Sequence, residues 1–439
     1  MAKSNEYIVG IMRGKPKRAR AWIARHMILV LVLVLLVLSM NGEGAAPGDI
    51  EAQIYRCLTG LQFNFVEWEL DALGGKLAHS LVAPQRYMNE ETRQEFFLNY
   101  LQLVAQVQRL DQEINRTYAD PDIEDPGAVT AELRAQLAEL RGMENDRQLI
   151  AEAILEEQVS SVLIDEGFSA IGEVLPAVSS HFTPLPMLLI VSSRDRIERV
   201  YSLNLQHGLN TAEQEEIEAT VDTDFDVSSL VTRIGGLSAY PAMLLESSSP
   251  NWVMEVTAHE WTHHYLAPRR LGWNYDTSAE TRTLNETVAN IVGKEISGEV
   301  IARYYPEFVP AESSPPSSNS DETPEPPAFD FRAEMHETRI KVDRLLAAGE
   351  IEEAEDYMEE RRQVFVENGY WIRKLNQAYF AFHGAYADEP GAAGEDPVGP
   401  AVRRFREQSP DLHTFVRQMS RITTFAQLQE LLDGGQETQ

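Results

Sequence analysis

The sequence predicts an α+β fold that is predominantly helical, and three observations lead to this prediction. Apolar residues recur every three or four positions between residues 50 and 167 and again between 330 and 388, which is the period of an amphipathic helix. Short apolar or alternating runs, typical of strands, are confined to residues 187–245. Hydrophobic residues make up 43% of the 439 positions, enough for a substantial core. We therefore expect long helices around a small sheet.

The first 40 residues have the pattern of an export signal. Residues 1–26 form a basic segment, and residues 27–40, MILVLVLVLLVLSM, carry no charge. A positive flank before an apolar run is typical of a signal anchor or signal peptide, and it places the following chain outside the cytoplasm. We expect a single-pass anchor in the cell membrane with a basic cytoplasmic segment, or secretion if the leader is cleaved. A buried core helix is the alternative.

The remainder of the chain is strongly acidic. The formal net charge is −31, and because the basic first segment contributes +6, the rest carries −37. Such a surface repels phosphate groups, so we expect no nucleic acid partner. Cys57 is the only cysteine, which excludes an intrachain disulfide and a Cys-ligated zinc site. Any metal must be held by histidines and carboxylates.

Residues 41–180 are expected to form a helical N-terminal region. Its apolar stripes, such as the one from Ile50 to Ala72, predict three long helices with structural roles. Breaks are expected near Pro84 and over residues 120–127, where proline and glycine interrupt the pattern.

Residues 181–307 are expected to form the central region, which combines the sheet with two helices. The strands are predicted at 187–193, 196–205 and, as a pair, within 227–245. Ser249 is a candidate N-cap with Pro250 in the first helical position, which predicts a helix ending near Tyr265. A second helix is predicted over residues 284–302.

The C-terminal third divides into a loop and further helices. Residues 308–329 contain VPAESSPPSSNSDETPEPP, a Pro, Ser and acid-rich composition that predicts a disordered loop. Residues 330–439 return to a helical pattern, with a helix hairpin predicted at 347–350 and the last helices at about 400–433.

The stretch HEWTHH, residues 259–264, is the strongest chemical signal in the chain. On a helix His259 and His263 lie one turn apart on one face, so both can reach one ion. Glu260 projects beside such an ion and can take a proton from a water that the ion activates. The alternative is a packed or exposed histidine pair. His264 points elsewhere, as a solvated histidine or one that supports the site.

A catalytic zinc needs a third protein ligand. The extended histidine signature is excluded because Leu266 and Arg269 occupy its glycine and third-histidine positions. A carboxylate from the following helix is the other route, and LNETVANIVG offers Glu286, with Ala289 small enough for close helix packing. Glu280 is the competing candidate.

HEWTH followed by NETVANIVG resembles the thermolysin-like and related gluzincin metallopeptidases over about forty residues. The resemblance implies a zincin-like core in residues 181–307, with one Zn²⁺ bound by His259, His263 and Glu286 and with Glu260 as the general base. It also implies that Asn290 orients a ligand imidazole. The family usually has Asp there; Asn290 brings no charge, so we expect a less basic imidazole and a lower zinc affinity.

The run KLNQAYFAFHGAY, residues 374–386, is similar to a poorly characterised group of bacterial aminopeptidase-like proteins. A Tyr or His beside the zinc is the usual oxyanion donor in peptide hydrolysis. Tyr379, His383 and Tyr386, spaced by four and three on one predicted helix face, are the candidates, so the C-terminal region is expected to complete the active site. An aromatic core stripe is the alternative for each.

These observations predict a zinc metallopeptidase that acts on a peptide or protein substrate. By the gluzincin resemblance, GGLSAYP at 235–241 is placed for an edge strand that pairs with extended substrate, and an ordinary internal strand is the alternative. Two other functions remain open: a zinc hydrolase acting on a non-peptide amide or ester, and a non-enzymatic helical envelope protein with a structural or degenerate zinc site.

Overall fold

The computed structural model describes residues 50–170, 172–310, 329–386, 392–394 and 396–434. Contacts divide the chain into two units, residues 1–57 and 58–439. In the first unit the described part is a helix, α1, at Ile50–Cys57. The second unit is mostly helical with small sheets, which confirms the predicted α+β class.

The second unit begins with long helices separated by capped breaks. They are α2 (Phe65–Val82), α3 (Glu90–Ala119), the single turn α4 (Pro126–Val129) and α5 (Ala131–Asp165). The breaks near Pro84 and at 120–127 are confirmed. The apolar stripe expected from Ile50 to Ala72 is not one helix, because the Asn64 side chain accepts a hydrogen bond from the backbone N–H of Glu67 and starts α2.

Eight short strands follow α5 among the residues that the structure describes. In chain order they are β1 (Ser169–Ala170), β2 (Glu173–Val174), β3 (Ser180–Phe182), β4 (Met187–Ser193), β5 (Arg199–Leu205), β6 (Val227–Arg233), β7 (Gly236–Leu237) and β8 (Ala242–Leu244). The strand predicted at 187–193 is confirmed, the one predicted at 196–205 begins at Arg199, and the pair predicted within 227–245 is three strands, β6, β7 and β8.

The strands form three small sheets. The β1–β2 pair is antiparallel. The largest sheet has the order β5-β4-β6 and is antiparallel throughout, with Leu189 paired to Leu203 on one side and Val231 on the other. The third sheet has the order β3-β8-β7, so β7 is an edge strand.

A helix that the apolar pattern did not predict, α6 (Thr211–Phe225), connects β5 and β6. A reciprocal capping box between Asn210 and Glu213 starts it. Its buried Glu218 accepts hydrogen bonds from the guanidinium of Arg373. The helix is therefore fixed by polar contacts more than by an apolar stripe.

Two central helices pack closely against each other: α7 (Pro250–Leu266) and α9 (Ala279–Tyr304), with the single turn α8 (Arg270–Trp273) between them. The Ser249 cap and Pro250 start are confirmed. Helix α9 starts before residue 284 because the Ser278 side chain caps it. A side chain at Gly293 would put its Cβ 3.0 Å from the Glu255 carbonyl oxygen and 3.3 Å from His259 Cβ, so this glycine permits the close approach.

The C-terminal region is helical, as predicted. Its helices are α10 (Phe331–Ala347), α11 (Ile351–Glu367), α12 (Gln377–His383), α13 (Val398–Gln408), α14 (Leu412–Met419) and α15 (Phe425–Gly434). The hairpin at 347–350 is confirmed, with Gly349 at φ +79°. Ala378 of α12 packs against Ile190 and Leu230 of the largest sheet. Most of the predicted loop, residues 311–328, lies outside the described residues.

The prediction of a membrane anchor finds no support in the helices that the structure describes. Within the described ranges, no helix combines the length and the apolar character needed to cross a membrane. The two longest, α3 and α5, carry charged residues along their whole length. The described helices therefore do not support the prediction of a single-pass protein of the cell membrane. The basic segment 1–26 and the apolar run 27–40 lie outside the described residues.

Candidate metal centre

Two histidines and one glutamate meet between α7 and α9. His259 and His263 lie one turn apart on α7, and α9 brings Glu286 against them. The two Nε2 atoms are 3.1 Å apart, and Glu286 Oε2 lies 3.5 Å from Nε2 of His259 and 3.6 Å from Nε2 of His263. Three atoms that can bind a metal thus form a small triangle.

The size of this triangle fits a zinc ion. Four ligands at about 2.0–2.1 Å from Zn²⁺ in a tetrahedron lie about 3.3–3.4 Å from one another. The three measured distances, 3.1, 3.5 and 3.6 Å, bracket that value. Glu286 Oε2 is buried without a hydrogen-bond partner. Burying a carboxylate oxygen that accepts no hydrogen bond is costly, and a cation at the triangle would remove that cost.

When no metal is bound, a proton on His263 supplies part of the positive charge that a cation would supply. Burial disfavours charge on His263, but the adjacent Glu286 carboxylate outweighs it, and the pKa of His263 rises to about 9. Burial likewise opposes ionisation of Glu286, yet the two imidazoles hold the pKa of that carboxyl well below its usual range. The pocket therefore favours a positive charge next to an ionised Glu286.

Two neighbours hold the ligands in place. Nδ1 of His263 lies 2.8 Å from Asn285 Oδ1, so this nitrogen donates and Nε2 keeps its lone pair for a metal. The Tyr275 hydroxyl donates to Glu286 Oε1, leaving Oε2 to face the histidines. Asn290 lines the same cavity, and its expected role in orienting an imidazole stays a prediction.

Glu260 is buried beside the triangle. Its Oε2 accepts a hydrogen bond of 2.6 Å from the Ser238 hydroxyl, and its Oε1 lies where a side chain at Gly236 would be, 2.3 Å from an ideal Cβ. The negative charge of Glu260 contributes to raising the pKa of both His263 and Tyr386, which places the carboxylate near both groups. Glycine at 236 is required for this packing.

The triangle and Glu260 line a cavity of about 650 Å³. Helices α7 and α9 form one wall, and Gly236 and Leu237 of β7 form part of another. Because β7 lies at the edge of its sheet, the segment 235–241 does not form an internal strand. An edge strand therefore borders the metal-binding residues.

The three oxyanion candidates are separated by the structure. Tyr386 lines the cavity, and burial together with the charges of Glu286 and Glu260 raises the pKa of its hydroxyl well above the usual value. Tyr379 and His383 are not among the described residues that line it; their rings contact each other at a tilt, with centroids 4.2 Å apart. Helix α12 ends at His383, so the predicted common helix face does not reach Tyr386.

Two further sequence candidates have other partners. Glu280, in the first turn of α9, accepts a hydrogen bond of 2.6 Å from the backbone N–H of Phe425 and anchors the start of α15. Nε2 of His264 lies 2.7 Å from the carbonyl oxygen of Ala239, and burial lowers the pKa of His264 to about 4. A neutral His264 thus supports the loop that carries Ser238.

Several site residues escaped the sequence analysis: Ser238, Tyr275, Arg199, Arg282 and Asn285. Two of them could have been identified from their sequence positions, because Asn285 adjoins Glu286 and Arg282 precedes it by one helical turn. Ser238 and Tyr275 lie in connecting segments, whose position depends on tertiary packing.

Comparison with protein-family models, with curated proteins and with solved structures found no match to this chain. Two imidazoles and one carboxylate suit Zn²⁺, and the second carboxylate, Glu260, is not one of the three converging ligands.

Proposed function

We propose that this chain is a zinc-dependent metallopeptidase that uses Glu260 as its general base. The observation that carries the proposal is the triangle of His259, His263 and Glu286 at the wall of a cavity that also holds Glu260. Three protein ligands leave a fourth position for water or substrate, which is typical of catalytic zinc and not of structural zinc.

A bound zinc ion would supply Lewis acidity, polarising a carbonyl and making a nearby water easier to deprotonate. Glu260, oriented by Ser238, accepts the proton of the attacking water and returns it to the leaving amine. Tyr386 donates a hydrogen bond to the oxyanion that develops on the attacked carbonyl. Because burial disfavours its anion, the Tyr386 hydroxyl keeps the proton that this role needs.

Two features favour peptides as substrates. The edge strand β7 borders the cavity at Gly236 and Leu237, and an edge strand can pair with an extended peptide regardless of its sequence. The resemblance of HEWTH and NETVANIVG to gluzincin metallopeptidases points to the same reaction. A cavity of about 650 Å³ is also within the usual range for ligand pockets.

The proposal is tested by measuring zinc content and peptide turnover on the same preparations. We expect one zinc per chain and cleavage of a quenched fluorescent peptide library by the wild type. Glu260→Gln should keep zinc and lose turnover by about 10²–10⁴-fold, since a positioned base is removed. Glu286→Ala should lose both.

Glu280→Gln is the matched control, because Glu280 lies in the same helix and binds the Phe425 backbone instead of the triangle. It should keep both zinc and turnover. Unchanged turnover in Glu260→Gln would contradict the role of this base. Cleavage of esters or small amides without cleavage of any peptide would contradict the substrate class.

A further inference from the structure

Two arginines lie in the wall of the cavity next to the metal-binding triangle. Arg199 comes from β5 and Arg282 from α9, and both line the cavity. Their side chains are only 10% and 7% exposed, respectively. Burying two like charges side by side is unfavourable unless anions compensate them.

The compensation within the protein is incomplete. Among the described residues, Arg199 and Arg282 share one carboxylate oxygen, Asp276 Oδ1, at 2.6 and 3.4 Å from their Nη2 atoms. The Asp276 side chain is 76% exposed, so water weakens its effect on the buried pair. Nε of Arg282 is buried without a hydrogen-bond partner. Two guanidinium groups thus share one anionic partner, and the buried Nε–H of Arg282 donates no hydrogen bond among the described residues.

The pair is directly connected to the metal centre through Tyr275. The guanidinium carbons of Arg199 and Arg282 lie 5.7 and 5.8 Å from the centroid of the Tyr275 ring, whose hydroxyl donates to Glu286. Arg282 also precedes Glu286 by four residues in α9, so both side chains leave the same helix face. The positive pair therefore borders the place where a scissile bond would lie.

We propose that Arg199 and Arg282 form a subsite that binds a carboxylate group of the substrate. The inference rests on the proposed function for the position of the scissile bond, and it adds a substrate class: peptides with a carboxylate close to the cleaved bond. A guanidinium presents planar N–H groups that match a carboxylate, and Nε of Arg282 has no hydrogen-bond partner among the described residues. The carboxylate comes from a peptide C terminus or from an acidic side chain.

Binding to the full-length, metal-free protein tests this inference without any need for turnover. The probes are acetylated hexa-alanine peptides with a free or an amidated C terminus, and amidated versions with Glu or Gln at each position in turn. Calorimetry should show that one carboxylate form binds the wild type at least about tenfold more tightly than its uncharged partner. The acid–amide pair tests the C terminus, and the Glu–Gln pairs test the side chain.

Three variants separate binding from folding. Arg282→Gln should reduce the discrimination to within about twofold, whereas Arg196→Gln, a control at an exposed ion pair, should keep it. Asp276→Asn removes the internal competitor and should tighten binding of the carboxylate form several-fold without affecting the uncharged form. A pair of arginines with only a structural role would not give this gain.

The inference is overturned if no carboxylate form is preferred by the wild type, if none of these peptides binds, or if Asp276→Asn weakens the carboxylate form. Failure of the proposed function has a different signature. In that case the zinc-loaded protein would cleave no peptide, while the metal-free protein would still discriminate between charged and uncharged probes.

Discussion

Two clusters of histidine and glutamate can be compared in the part of the chain that the structure describes: one is ion-paired with Lys76, and the other lines the cavity. The closed cluster joins Lys76, Glu152, Glu156 and His181. Glu152 Oε1 accepts hydrogen bonds from the Phe182 backbone at 2.9 Å and lies 2.9 Å from His181 Nδ1, and its Oε2 lies 2.7 Å from Lys76 Nζ. Glu156 Oε1 accepts hydrogen bonds from the same ammonium group and from the Ser180 backbone N–H. Both carboxylates are thus paired with Lys76, and both oxygens of Glu152 have a partner.

The open cluster of His259, His263 and Glu286 has similar residue types but a different balance. One carboxylate oxygen is satisfied by Tyr275, and the other is buried with no hydrogen-bond partner. Its ligand atoms converge at a cavity that also holds Glu260. The difference indicates that residue type alone does not identify a functional cluster. Unsatisfied donors or acceptors that converge on accessible space are the informative feature.

The largest expected effect comes from breaking the closed cluster. Lys76→Met leaves Glu152 and Glu156 buried without their ammonium partner, so the free energy of unfolding should fall by about 3–5 kcal/mol. Urea unfolding measures this, and Arg196→Gln, at an exposed pair, should cost about 1 kcal/mol or less. Equal losses in the two variants would mean that the closed cluster is not a structural element.

The cavity at the open cluster should respond in catalysis and not in stability. Tyr386→Phe removes the proposed oxyanion donor and should lower kcat by about 10²–10³-fold, which is about 2.7–4 kcal/mol of transition-state stabilisation. Tyr379→Phe, in the aromatic stack outside the cavity, is the matched control and should leave kcat nearly unchanged. The opposite order of effects would place the donor on α12.

A smaller effect is expected from the support of the ligands. Asn285→Ala removes the hydrogen bond that fixes the His263 ring, and zinc affinity should fall by about 10–100-fold. Competition with a fluorescent zinc chelator measures the affinity. Asn290→Ala tests the position expected from the sequence resemblance. A larger loss in Asn290→Ala than in Asn285→Ala would contradict the assignment of Asn285 as the main support.

The smallest effect concerns the acid dependence of the closed cluster. Burial opposes ionisation of Glu152, but Lys76 and His181 outweigh it, and the pKa of Glu152 falls to about 2. An unfolded glutamate has a pKa of about 4.3, so this stabilisation is complete above that pH and is lost as the pH falls towards about 2. The stability deficit of Glu152→Gln should therefore shrink by about 1.4 kcal/mol per pH unit below about pH 4.

Urea unfolding of the wild type and Glu152→Gln at several pH values checks this slope. A deficit that grows on acidification would show that folding raises the pKa of Glu152 and does not lower it. The closed cluster would then not be the ion-paired element described above.

The parts of the fold that the sequence predicted are those with strong local signals. Ser249 and Pro250 fix the start of α7 by backbone chemistry that needs no tertiary contact. Helix α6 was missed because its apolar pattern is weak, although its capping pair Asn210 and Glu213 was visible in the sequence.

The same contrast applies to the site. The spacing of His259 and His263 is a property of one helix, so it could be predicted. Which asparagine supports His263 depends on the rotation of α9 against α7, and Asn285 instead of Asn290 accepts from Nδ1 because of that packing. The position of Tyr386 depends on the end of α12, which the aromatic spacing did not indicate.

The most direct test of the central claim is anomalous diffraction at the zinc edge from crystals of the zinc-loaded protein. We predict one peak, about 2.0–2.1 Å from Nε2 of His259, Nε2 of His263 and Oε2 of Glu286. A peak at the closed cluster around Glu152, or zinc bound without contact to Glu286, would contradict the account.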